Sequence, residues 1–585
     1  MHLSMRFCRQ TKQKNSKHRQ CNKNEAFFVE TKLCSLIGVS KTEYEKYISE
    51  AAEIIKSGGL VAFPTETVYG LGASALSGDG AKKIYAAKGR PSDNPLIVHI
   101  SKVEDIEKYC MPDEKSLALC KKFMPGPITV IMKKKPCIPD EVTAGLDTVA
   151  IRCPQDENAR AFIEKCGVAI AAPSANTSGR PSPTSAMHVC EDLNGKIEMI
   201  LDGGECKIGL ESTIVRINDG ATELLRPGGV TPEELIAVCG KEHFMINPAI
   251  LQKLSDDQKP VCAGMKYRHY SPRAKVVLVD GETDFDKNRF ILQKLKENKN
   301  AEKIGVLCFD EDIENELFCG EYVFSLGKRD AFSEQSHLLF ARLRDCDKTD
   351  VSLIYAKTPP KSGLGLALFN RLIKAAGFDI VFAEHFLRIA LTGGIGSGKG
   401  VAAKIFSEYG VPTLDTDKLY HSLIGKSSPL AKEISRALGE NLLMPDGSLD
   451  RKKTAKTVFA DKEKLLLLNT VSHKAVRKET LLWMYSQEKN CALVEVPLLW
   501  ESGMQSDFDK IVCVCADKEA RLSRIVARDN CDKETALLRI AAQKDDEFFR
   551  ANSDFVIENG TSDRNELKKA VSCVYYALFN EEKQG

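Results

Sequence analysis

The segment LRIALTGGIGSGK, residues 387–399, decides the fold of the last part of this chain. Its apolar start predicts a buried strand, and a helical pattern over 401–409 follows the glycines. A glycine-rich turn between a strand and a helix lets successive backbone N–H groups approach phosphate oxygens, because no side chain blocks them. The segment therefore predicts a phosphate-binding loop in which Lys399 reaches the β- and γ-phosphates. The residues expected to bind ATP in this loop are Gly394, Ile395, Gly396, Ser397, Gly398, Lys399, Gly400 and Val401.

Two carboxylates follow the next predicted strand, residues 411–414. Asp415 and Asp417 would then lie at the carboxyl edge of a parallel sheet, where such folds bind ligands. One carboxylate is suited to hold Mg²⁺ through water, and the other to accept a hydroxyl proton. Turn residues with a structural role would show the same spacing, so the spacing alone leaves both interpretations open.

Residues 387 to about 575 resemble the dephospho-CoA kinases, through the loop, the Asp-Thr-Asp at 415–417, Leu-Asp-Arg at 449–451, the Pro-Leu-Leu segment within 495–501 and Arg-Ile-Ala-Ala-Gln at 539–543. That family phosphorylates the 3′-hydroxyl of dephospho-CoA with ATP. The resemblance implies Asp417 as base, Lys399 on the phosphates and Arg528 as a charge clamp. It implies dephospho-CoA contacts and Mg²⁺ ligands at two sets of residues: Asp417, His473, Pro497, Leu498 and Leu499 for the acceptor, and Asp415 and Asp417 for the metal.

The chain departs from that family at two positions. Gly400 stands where the family has Ser or Thr, which removes the hydroxyl that phosphate-binding loops offer to Mg²⁺. Lys474 stands where a Pro often follows the family's His, a change expected to be minor. We expect an active kinase with a raised Mg²⁺ requirement, and a degenerate kinase domain is the alternative.

Three polar segments mark the first part of the chain, and each follows a predicted strand or helix: FPTETVYGLG at 63–72, KGRP at 88–91 and APSANTSG at 172–179. Lys88 and Arg90 form a cation pair suited to a triphosphate. The other two segments present hydroxyls, amides and bare backbone to a small polar ligand. Each segment alone fits a solvated turn, but their combination favours a binding site.

Residues 45 to about 383 resemble threonylcarbamoyl-AMP synthases of the YrdC/Sua5 type, since FMPGPIT at 123–129, Ala-Ile-Arg at 150–152, GLEST at 209–213 and LRPG at 225–228 also occur in order. That family makes L-threonylcarbamoyl-AMP and pyrophosphate from threonine, bicarbonate and ATP, the first step of N6-threonylcarbamoylation of tRNA adenosine 37. The resemblance implies catalytic Lys88 and Arg90. It also implies two binding sets: Thr65, Thr67, His99 and Ser212 for threonine, and Lys88, Arg90, Ser174, Asn176, Ser212, Arg226 and Tyr267 for ATP.

The middle of the chain resembles the second part of the longer Sua5 type. The segment GMKYRHYSP at 264–272 resembles its interdomain linker, which by resemblance covers the active site. A basic and aromatic cluster of this kind would otherwise suggest RNA stacking. An RNA-binding module with a vestigial ATP site is therefore a further alternative.

Composition limits the remaining possibilities. The 585 residues predict several domains, and 83 Lys and Arg against 81 Asp and Glu give a net charge of +2. That balance provides no field for holding a polyanion non-specifically, so we expect at most weak direct tRNA binding. The 20 cysteines are scattered singly, which favours reduced thiols in a cytoplasmic protein, and no apolar run is long enough to span a membrane. Residues 1–24 carry seven Lys or Arg and no acid, which indicates a disordered leader, an upstream start codon or, less well, a transit peptide.

The sequence thus predicts a multidomain α/β fold for a fused bifunctional enzyme. Its expected parts are a basic leader (1–40), a YrdC-like domain with a twisted α/β sheet (41–245), a linker covering the active site (246–273), a smaller Rossmann-like Sua5 domain (274–384) and a P-loop NTPase kinase domain with a parallel sheet (387–585). We expect Mg²⁺ with ATP at both sites and no tightly bound organic cofactor. The expected partners are the substrates and a tRNA threonylcarbamoyl transferase complex that receives the first product. Whether the fusion is native or joins two reading frames stays open at this point.

Overall fold

The computed structural model describes residues 29–253, 262, 269–298, 303–320, 322–459, 461–561 and 563–580. Most of the predicted leader, and Tyr267 of the predicted linker, lie outside the described residues. The chain forms two compact units, one of Met1–Tyr270 with Ser362–Asn370 and the other of Ser271–Lys361 with Arg371–Gly585.

The first unit is built on a mixed sheet of short strands. Its elements are β1 (Lys32–Ser35), α1 (Lys41–Lys56), β2 (Val61–Phe63), β3 (Gly70–Ser74), α2 (Gly78–Lys88), β4 (Ile97–His99), α3 (Ile106–Tyr109), β5 (Cys110–Met111), α4 (Glu114–Phe123), β6 (Ile128–Lys134), α5 (Asp140–Thr143), β7 (Thr148–Arg152), α6 (Glu157–Cys166), β8 (Ile170–Ala172), α7 (Ala186–Leu193), β9 (Met199–Asp202), β10 (Thr213–Asn218), β11 (Ala221–Arg226), α8 (Pro232–Cys239) and β12 (Phe244–Ile246). The strand order is β1-β9-β2-β3-β8-β4-β7-β6-β10-β11-β12, with β5 beside β6.

The central strands of this sheet are apolar on both faces because helices cover both. All three residues of β2 are buried, and those of β4 and β8 are as well. Where a buried strand ends, the chain leaves the core and polar residues can follow. The predicted site segments 63–72 and 172–179 begin at the ends of β2 and β8. The sheet therefore brings those segments together on one side of the unit.

The second unit begins with a five-stranded sheet, here called the middle domain. Its elements are β13 (Lys275–Asp280), α9 (Asp284–Glu297), β14 (Ile304–Cys308), α10 (Asp310–Glu314), β15 (Val323–Ser325), α11 (Phe332–Cys346), β16 (Leu353–Lys357) and β17 (Ile380–Phe382). The helix α12 (Gly363–Ala375) precedes β17, and its residues up to Asn370 belong to the first unit. The order is β15-β14-β16-β13-β17, and every pair is parallel. This is the Rossmann-like α/β arrangement that the sequence predicts.

A second parallel sheet follows, in the order β19-β20-β18-β21-β22. This kinase domain contains β18 (Leu387–Thr392), α13 (Lys399–Glu408), β19 (Thr413–Asp415), α14 (Thr416–Leu423), α15 (Pro429–Ala437), α16 (Arg451–Phe459), α17 (Lys462–Tyr485), β20 (Cys491–Glu495), β21 (Lys510–Cys515), α18 (Lys518–Asp529), α19 (Lys533–Ala541), α20 (Asp546–Ala551), β22 (Phe555–Glu558) and α21 (Arg564–Asn580). The predicted phosphate-binding loop connects the central strand β18 to α13. The sheet thus has the P-loop NTPase arrangement that was predicted.

The middle and kinase domains share a hydrophobic core. Phe285 at the start of α9 stacks on Tyr485 at the end of α17, with ring centroids 4.1 Å apart and planes at 10°. The Arg289 guanidinium lies 4.8 Å from the Phe386 ring and donates to Asn490 Oδ1 at 2.9 Å. Only residues 383–386 separate β17 from β18. The two domains therefore pack as one body, rather than as modules on a flexible tether.

Among the described residues, no helix combines the length and apolar character needed to cross a bilayer.

Candidate active sites

The first unit holds a cavity where the predicted segments converge. The turn after β2, the turn after β8, the residues before β10 and the end of β11 all contribute to its wall. The predicted residues that line it are Thr65, Arg90, His99, Ser174, Asn176, Ser212 and Arg226. Lys88 and Thr67 are buried next to the cavity but are absent from its wall.

Lys88 is turned into the protein instead of toward the cavity. Its side chain is almost fully buried, and Nζ donates to the carbonyl of Ser174 at 2.5 Å and also to that of Asn176. An ammonium held by two carbonyls fixes the backbone that carries the Ser174 and Asn176 side chains. In this conformation Lys88 positions the loop.

Arg90 and Arg226 bring positive charge to the cavity wall. The Arg90 guanidinium donates to the carbonyls of Asn94 and Pro95 at 3.2 and 3.1 Å, which fixes its plane. Burial lowers the pKa of Arg90 to about 10, so the side chain stays charged at neutral pH. Arg226 Nε donates to the Ser212 carbonyl at 3.0 Å. The arrangement suits a polyphosphate or a carboxylate.

His99 is neutral at physiological pH. Burial, reinforced by the nearby charge of Arg152, lowers the pKa of His99 to about 3. Its Nδ1 donates to the Ile97 carbonyl at 3.0 Å, and its ring meets Phe63 edge-on. A neutral, fixed imidazole can recognise a polar group without adding a charge to the site.

The cavity wall also contains residues that the sequence reasoning did not assign to a site. Arg152 is one of them, and it forms a buried ion pair of 2.7 Å with Glu66. Burial alone would raise the pKa of Glu66, but the Arg152 charge and hydrogen bond lower it. Both lie inside quoted motifs, so the motif positions were the available signal. His269 and Tyr270 line the cavity as well.

The kinase domain's loop requires glycine at positions where backbone or side-chain atoms come close. Gly393 has a φ of +136°, and a Cβ there would lie 2.2 Å from the Val514 carbonyl oxygen. At Gly398, with φ +100°, a Cβ would lie 2.2 Å from Asn559 Nδ2. Lys399 Nζ donates to the carbonyls of Gly393 and Gly394 at 2.9 and 3.1 Å. The ammonium group of Lys399 is therefore bound by carbonyls of the loop itself.

Other side chains hold this loop from outside. Arg521, which sequence reasoning missed, is buried beneath it and donates through Nε to the Ile395 carbonyl at 2.9 Å. Gln543 accepts from the Ile395 N–H at 2.6 Å. Arg528 is largely exposed and pairs with Asp529, yet its charge helps to lower the pKa of Lys399, for which burial is the main cause. No motif indicated Arg521, because the sequence does not distinguish a buried arginine on a helix from one exposed to solvent.

Three carboxylates lie beside the loop: Asp415, Asp417 and Glu495. Asp415 caps α14, since Oδ1 accepts the N–H groups of Asp417 and Lys418, both at 3.0 Å. Asp417 still reaches solvent, but partial removal from water, followed by the charge of Asp415, raises the pKa of Asp417. Burial likewise raises the pKa of Glu495, which pairs in register with Asp415 across the sheet.

These carboxylates fit the Mg²⁺ that would accompany ATP. In the part of the chain that the structure describes, no group of three His, Cys, Asp or Glu side chains forms a metal cage. Mg²⁺ normally keeps several waters and binds through one or two carboxylates plus substrate phosphates. Asp417 and Glu495 beside the loop meet that need better than Asp415, whose oxygens accept from backbone N–H groups and from Lys418.

A pocket of about 240 Å³ opens between α14, α17 and the segment after β20. Of the residues predicted to contact dephospho-CoA, Asp417, His473, Pro497 and Leu498 line it, together with Tyr420 and Val496. Leu499 is fully buried in the core instead. The pocket places an apolar wall next to Asp417, which suits a flat acceptor molecule with one reactive hydroxyl.

Sequence models of three families match the chain. One described as "Telomere recombination" matches residues 53–228, one described as "Threonylcarbamoyl-AMP synthase, C-terminal domain" matches 230–377, and one described as "Dephospho-CoA kinase" matches 387–564. The matches follow one another without overlap, in the order of the sheets.

Curated proteins and a solved structure agree with this division. A threonylcarbamoyl-AMP synthase of Pyrococcus abyssi is 46% identical over 59% of this chain and 98% of its own length. A dephospho-CoA kinase of Bacillus licheniformis is 34% identical over 30% of this chain and 89% of its own length. The crystal structure of P. abyssi Sua5 complexed with L-threonine has a TM-score of 0.54 and 43% identity, over 61% of this chain and 99% of that one. The chain therefore belongs to the threonylcarbamoyl-AMP synthase family in its first two sheets and to the dephospho-CoA kinase family in its last, fused in a single polypeptide.

Proposed function

We propose that the chain catalyses two reactions. The first unit makes L-threonylcarbamoyl-AMP and pyrophosphate from L-threonine, bicarbonate and ATP, and the kinase domain transfers the γ-phosphoryl group of ATP to the 3′-hydroxyl of dephospho-CoA. The observation that carries the proposal is the presence of two separate sites: a cavity lined by Arg90 and Arg226 in the first unit, and a pocket lined by Asp417 next to the glycine-rich loop of the kinase domain.

In the synthase reaction, the threonine amine attacks bicarbonate-derived CO₂ and loses a proton to give a carbamate. A carbamate oxygen then attacks the α-phosphate of ATP, and pyrophosphate leaves. Arg90 and Arg226 are the groups available to neutralise the leaving pyrophosphate. Thr65 and neutral His99 offer polar contacts for threonine, and enclosure of the bound substrates by the cavity wall would limit the access of water to a labile carbamate.

In the kinase reaction, Asp417 accepts the proton of the 3′-hydroxyl as that oxygen attacks the γ-phosphate. Its raised pKa, caused by partial burial and by the charge of Asp415, makes it a better proton acceptor than an ordinary aspartate. Lys399 leaves the loop carbonyls to bind the β- and γ-phosphates, and Arg528 can approach from the exposed end of α18. Mg²⁺, when bound with ATP, would supply charge neutralisation beside Asp417 and Glu495.

Gly400 offers a direct test of the metal site. A Cβ there would lie 3.7 Å from Glu495 Oε2, an ordinary contact, so Gly400→Ser fits without strain. We expect the serine hydroxyl to lower the Mg²⁺ concentration that gives half-maximal kinase rate. Removing a helical glycine should also raise the free energy of unfolding by up to about 1 kcal/mol. Kinase rates against Mg²⁺ concentration and thermal unfolding measure the two effects.

Gly400→Ala is the matched control, because it gives the helix the same stabilisation without a hydroxyl. Equal Mg²⁺ requirements in the serine and alanine variants would exclude the hydroxyl from the metal shell. A natural chain that is inert at every Mg²⁺ concentration, with activity restored by serine, would favour the degenerate-kinase alternative.

Beyond the reactions, the first product would pass to a tRNA threonylcarbamoyl transferase complex, since an acyl phosphate anhydride of this kind needs a nucleophile to accept its carbamoyl group. We place both reactions in the cytoplasm, where ATP and reduced thiols occur together. No disulfide joins any two of the 18 cysteines that the structure describes.

The deciding experiment measures both products with the purified full chain. We expect pyrophosphate release that requires threonine and bicarbonate together, and CoA formation that requires dephospho-CoA. Pyrophosphate release without dependence on threonine and bicarbonate would reject the synthase. Tight RNA binding without either activity would favour the RNA-binding alternative.

A further inference from the structure

A second cavity, of about 830 Å³, lies between the middle and kinase domains. The middle domain contributes the turns at the carboxyl edge of its parallel sheet, the edge where such folds usually bind ligands. The kinase domain contributes one face of α17. The lining residues that matter below are Phe285, Asn288, Asp330, His473, Lys474 and Tyr485.

This cavity lies next to the kinase acceptor pocket. His473 and Ser502 line both spaces. A molecule whose hydroxyl lies at Asp417 can therefore extend past His473 toward the middle domain. The acceptor pocket is mainly apolar around Asp417, whereas the second cavity is polar and carries many charges, so the two spaces suit different parts of one elongated molecule.

Five cations line this cavity, and four of them form ion pairs with carboxylates: Arg329 pairs with Asp284 and Asp312, Arg388 with Asp509, and the other two as follows. Arg477 pairs with Asp507 at 2.6 Å, and Lys478 pairs with Glu316 at 2.8 Å. Lys474 is exposed and forms no ion pair with any residue that the structure describes. It directly follows His473, which lines both spaces, so its positive charge lies in the second cavity close to the acceptor pocket.

The opposite wall offers a hydrogen-bond acceptor. Asn288 is 2% exposed, and its Nδ2 donates to Asp312 Oδ1 at 3.0 Å, which fixes the orientation of the amide. The Oδ1 of Asn288 is buried and has no hydrogen-bond partner. A buried carbonyl oxygen without a partner is costly, and a ligand N–H or O–H in this cavity would remove that cost. The stacked Phe285 and Tyr485 rings provide an apolar surface beside it.

We propose that the middle domain forms the far wall of the kinase's acceptor site. The cavity receives the arm of dephospho-CoA: Lys474 binds its diphosphate, Asn288 accepts a hydrogen bond from an amide N–H of the pantetheine portion, and the aromatic pair packs against that portion's alkyl chain. This inference rests on the proposed kinase function. It assigns to a domain of the synthase part a role in the affinity of the kinase for its acceptor.

The first test is Lys474→Ala in the full chain. Loss of a charge-assisted contact should raise the KM for dephospho-CoA about tenfold and leave the KM for ATP unchanged. Lys474→Arg should restore most of the affinity. Lys462→Ala, on the same helix but outside both spaces, is the matched control and should change neither constant. An unchanged KM for dephospho-CoA in Lys474→Ala, or an equal rise in both constants, would overturn the role of the lysine.

The second test changes a residue of the middle domain alone, and here we expect the KM for dephospho-CoA to fall rather than rise. Asp330 is an exposed cavity residue, and its negative charge repels a diphosphate. Asp330→Asn should therefore lower the KM for dephospho-CoA about threefold, an improvement that damage to the fold would not produce. Glu314→Gln, which removes the same charge outside the cavity, is the control. An unchanged or raised KM in Asp330→Asn overturns the part played by the middle domain.

Calorimetric titration of the natural chain and of the variants with dephospho-CoA separates this inference from the proposed activity. A natural chain that binds dephospho-CoA but forms no CoA contradicts the kinase proposal, and the variants still test the cavity through their dissociation constants. A natural chain that forms CoA while all variants bind equally well contradicts the cavity proposal alone.

Discussion

Lys88→Ala should abolish threonine-dependent pyrophosphate release and leave CoA formation intact. The substitution removes the ammonium that holds the Ser174 and Asn176 carbonyls, so the loop that carries two cavity side chains loses its support. Loss of preorganised polar groups of this kind costs about 10²–10³-fold in turnover. Arg90→Ala should lower the same rate by removing charge directly from the cavity wall.

The control for this prediction is Lys82→Ala, because Lys82 lies on the same helix, α2, and is exposed. It should leave both activities at the natural level. CoA formation should survive in all three variants because the kinase site lies in the other compact unit. Loss of both activities from Lys88→Ala, in a protein with an unchanged unfolding transition, would show that the two sites are coupled.

Asp417→Asn should lower CoA formation by about 10²–10⁴-fold while pyrophosphate release continues unchanged. The asparagine keeps the size of the side chain but cannot take the proton of the 3′-hydroxyl. Dephospho-CoA should still bind, since the other residues of the acceptor pocket are unchanged. Single-turnover phosphoryl transfer and calorimetric binding distinguish lost chemistry from lost affinity.

Asp415→Asn provides the comparison within the same motif. Its carboxylate caps α14, so asparagine, itself a good capping residue, should cost little stability and little turnover. Equal losses in Asp415→Asn and Asp417→Asn would contradict the assignment of the base to Asp417 alone.

The fold class of the kinase domain was predictable from its glycine and strand pattern, because that pattern has a geometric cause, whereas the folds of the first two sheets were expected from the family resemblance. At Gly393, for example, the neighbouring Val514 carbonyl leaves no room for a side chain. The loop conformation therefore requires glycine there, and glycine at that place in the sequence indicates the loop. The direction of Lys88 was not predictable in the same way. A lysine in a polar segment can contact either a ligand or the protein's own backbone. Only the positions of the surrounding carbonyls decide between the two.

The packing of the middle domain on the kinase was also beyond the sequence. Phe285 and Tyr485 lie far apart in the chain, and each reads as an ordinary core aromatic of its own domain. Arg289 likewise reads as a solvated helical residue, although its guanidinium reaches the Gln487 and Lys489 carbonyls at 3.1 and 3.2 Å. Contacts between domains leave no periodic signal, because they depend on the relative placement of two complete sheets.

The short connection at residues 383–386 limits how this gene can be divided or exchanged. A kinase released at Leu387 would keep Tyr485 and Met484 but lose Phe285 and Phe386, which pack with them in one cluster. The released kinase would then expose an aromatic surface that is prone to aggregate. A kinase domain from another lineage, joined at the same point, would lack the residues that pack against Phe285 and Phe386. Gene fission or module replacement at this boundary therefore requires compensating polar changes on both sides, which makes the present fusion difficult to reverse by a single recombination event.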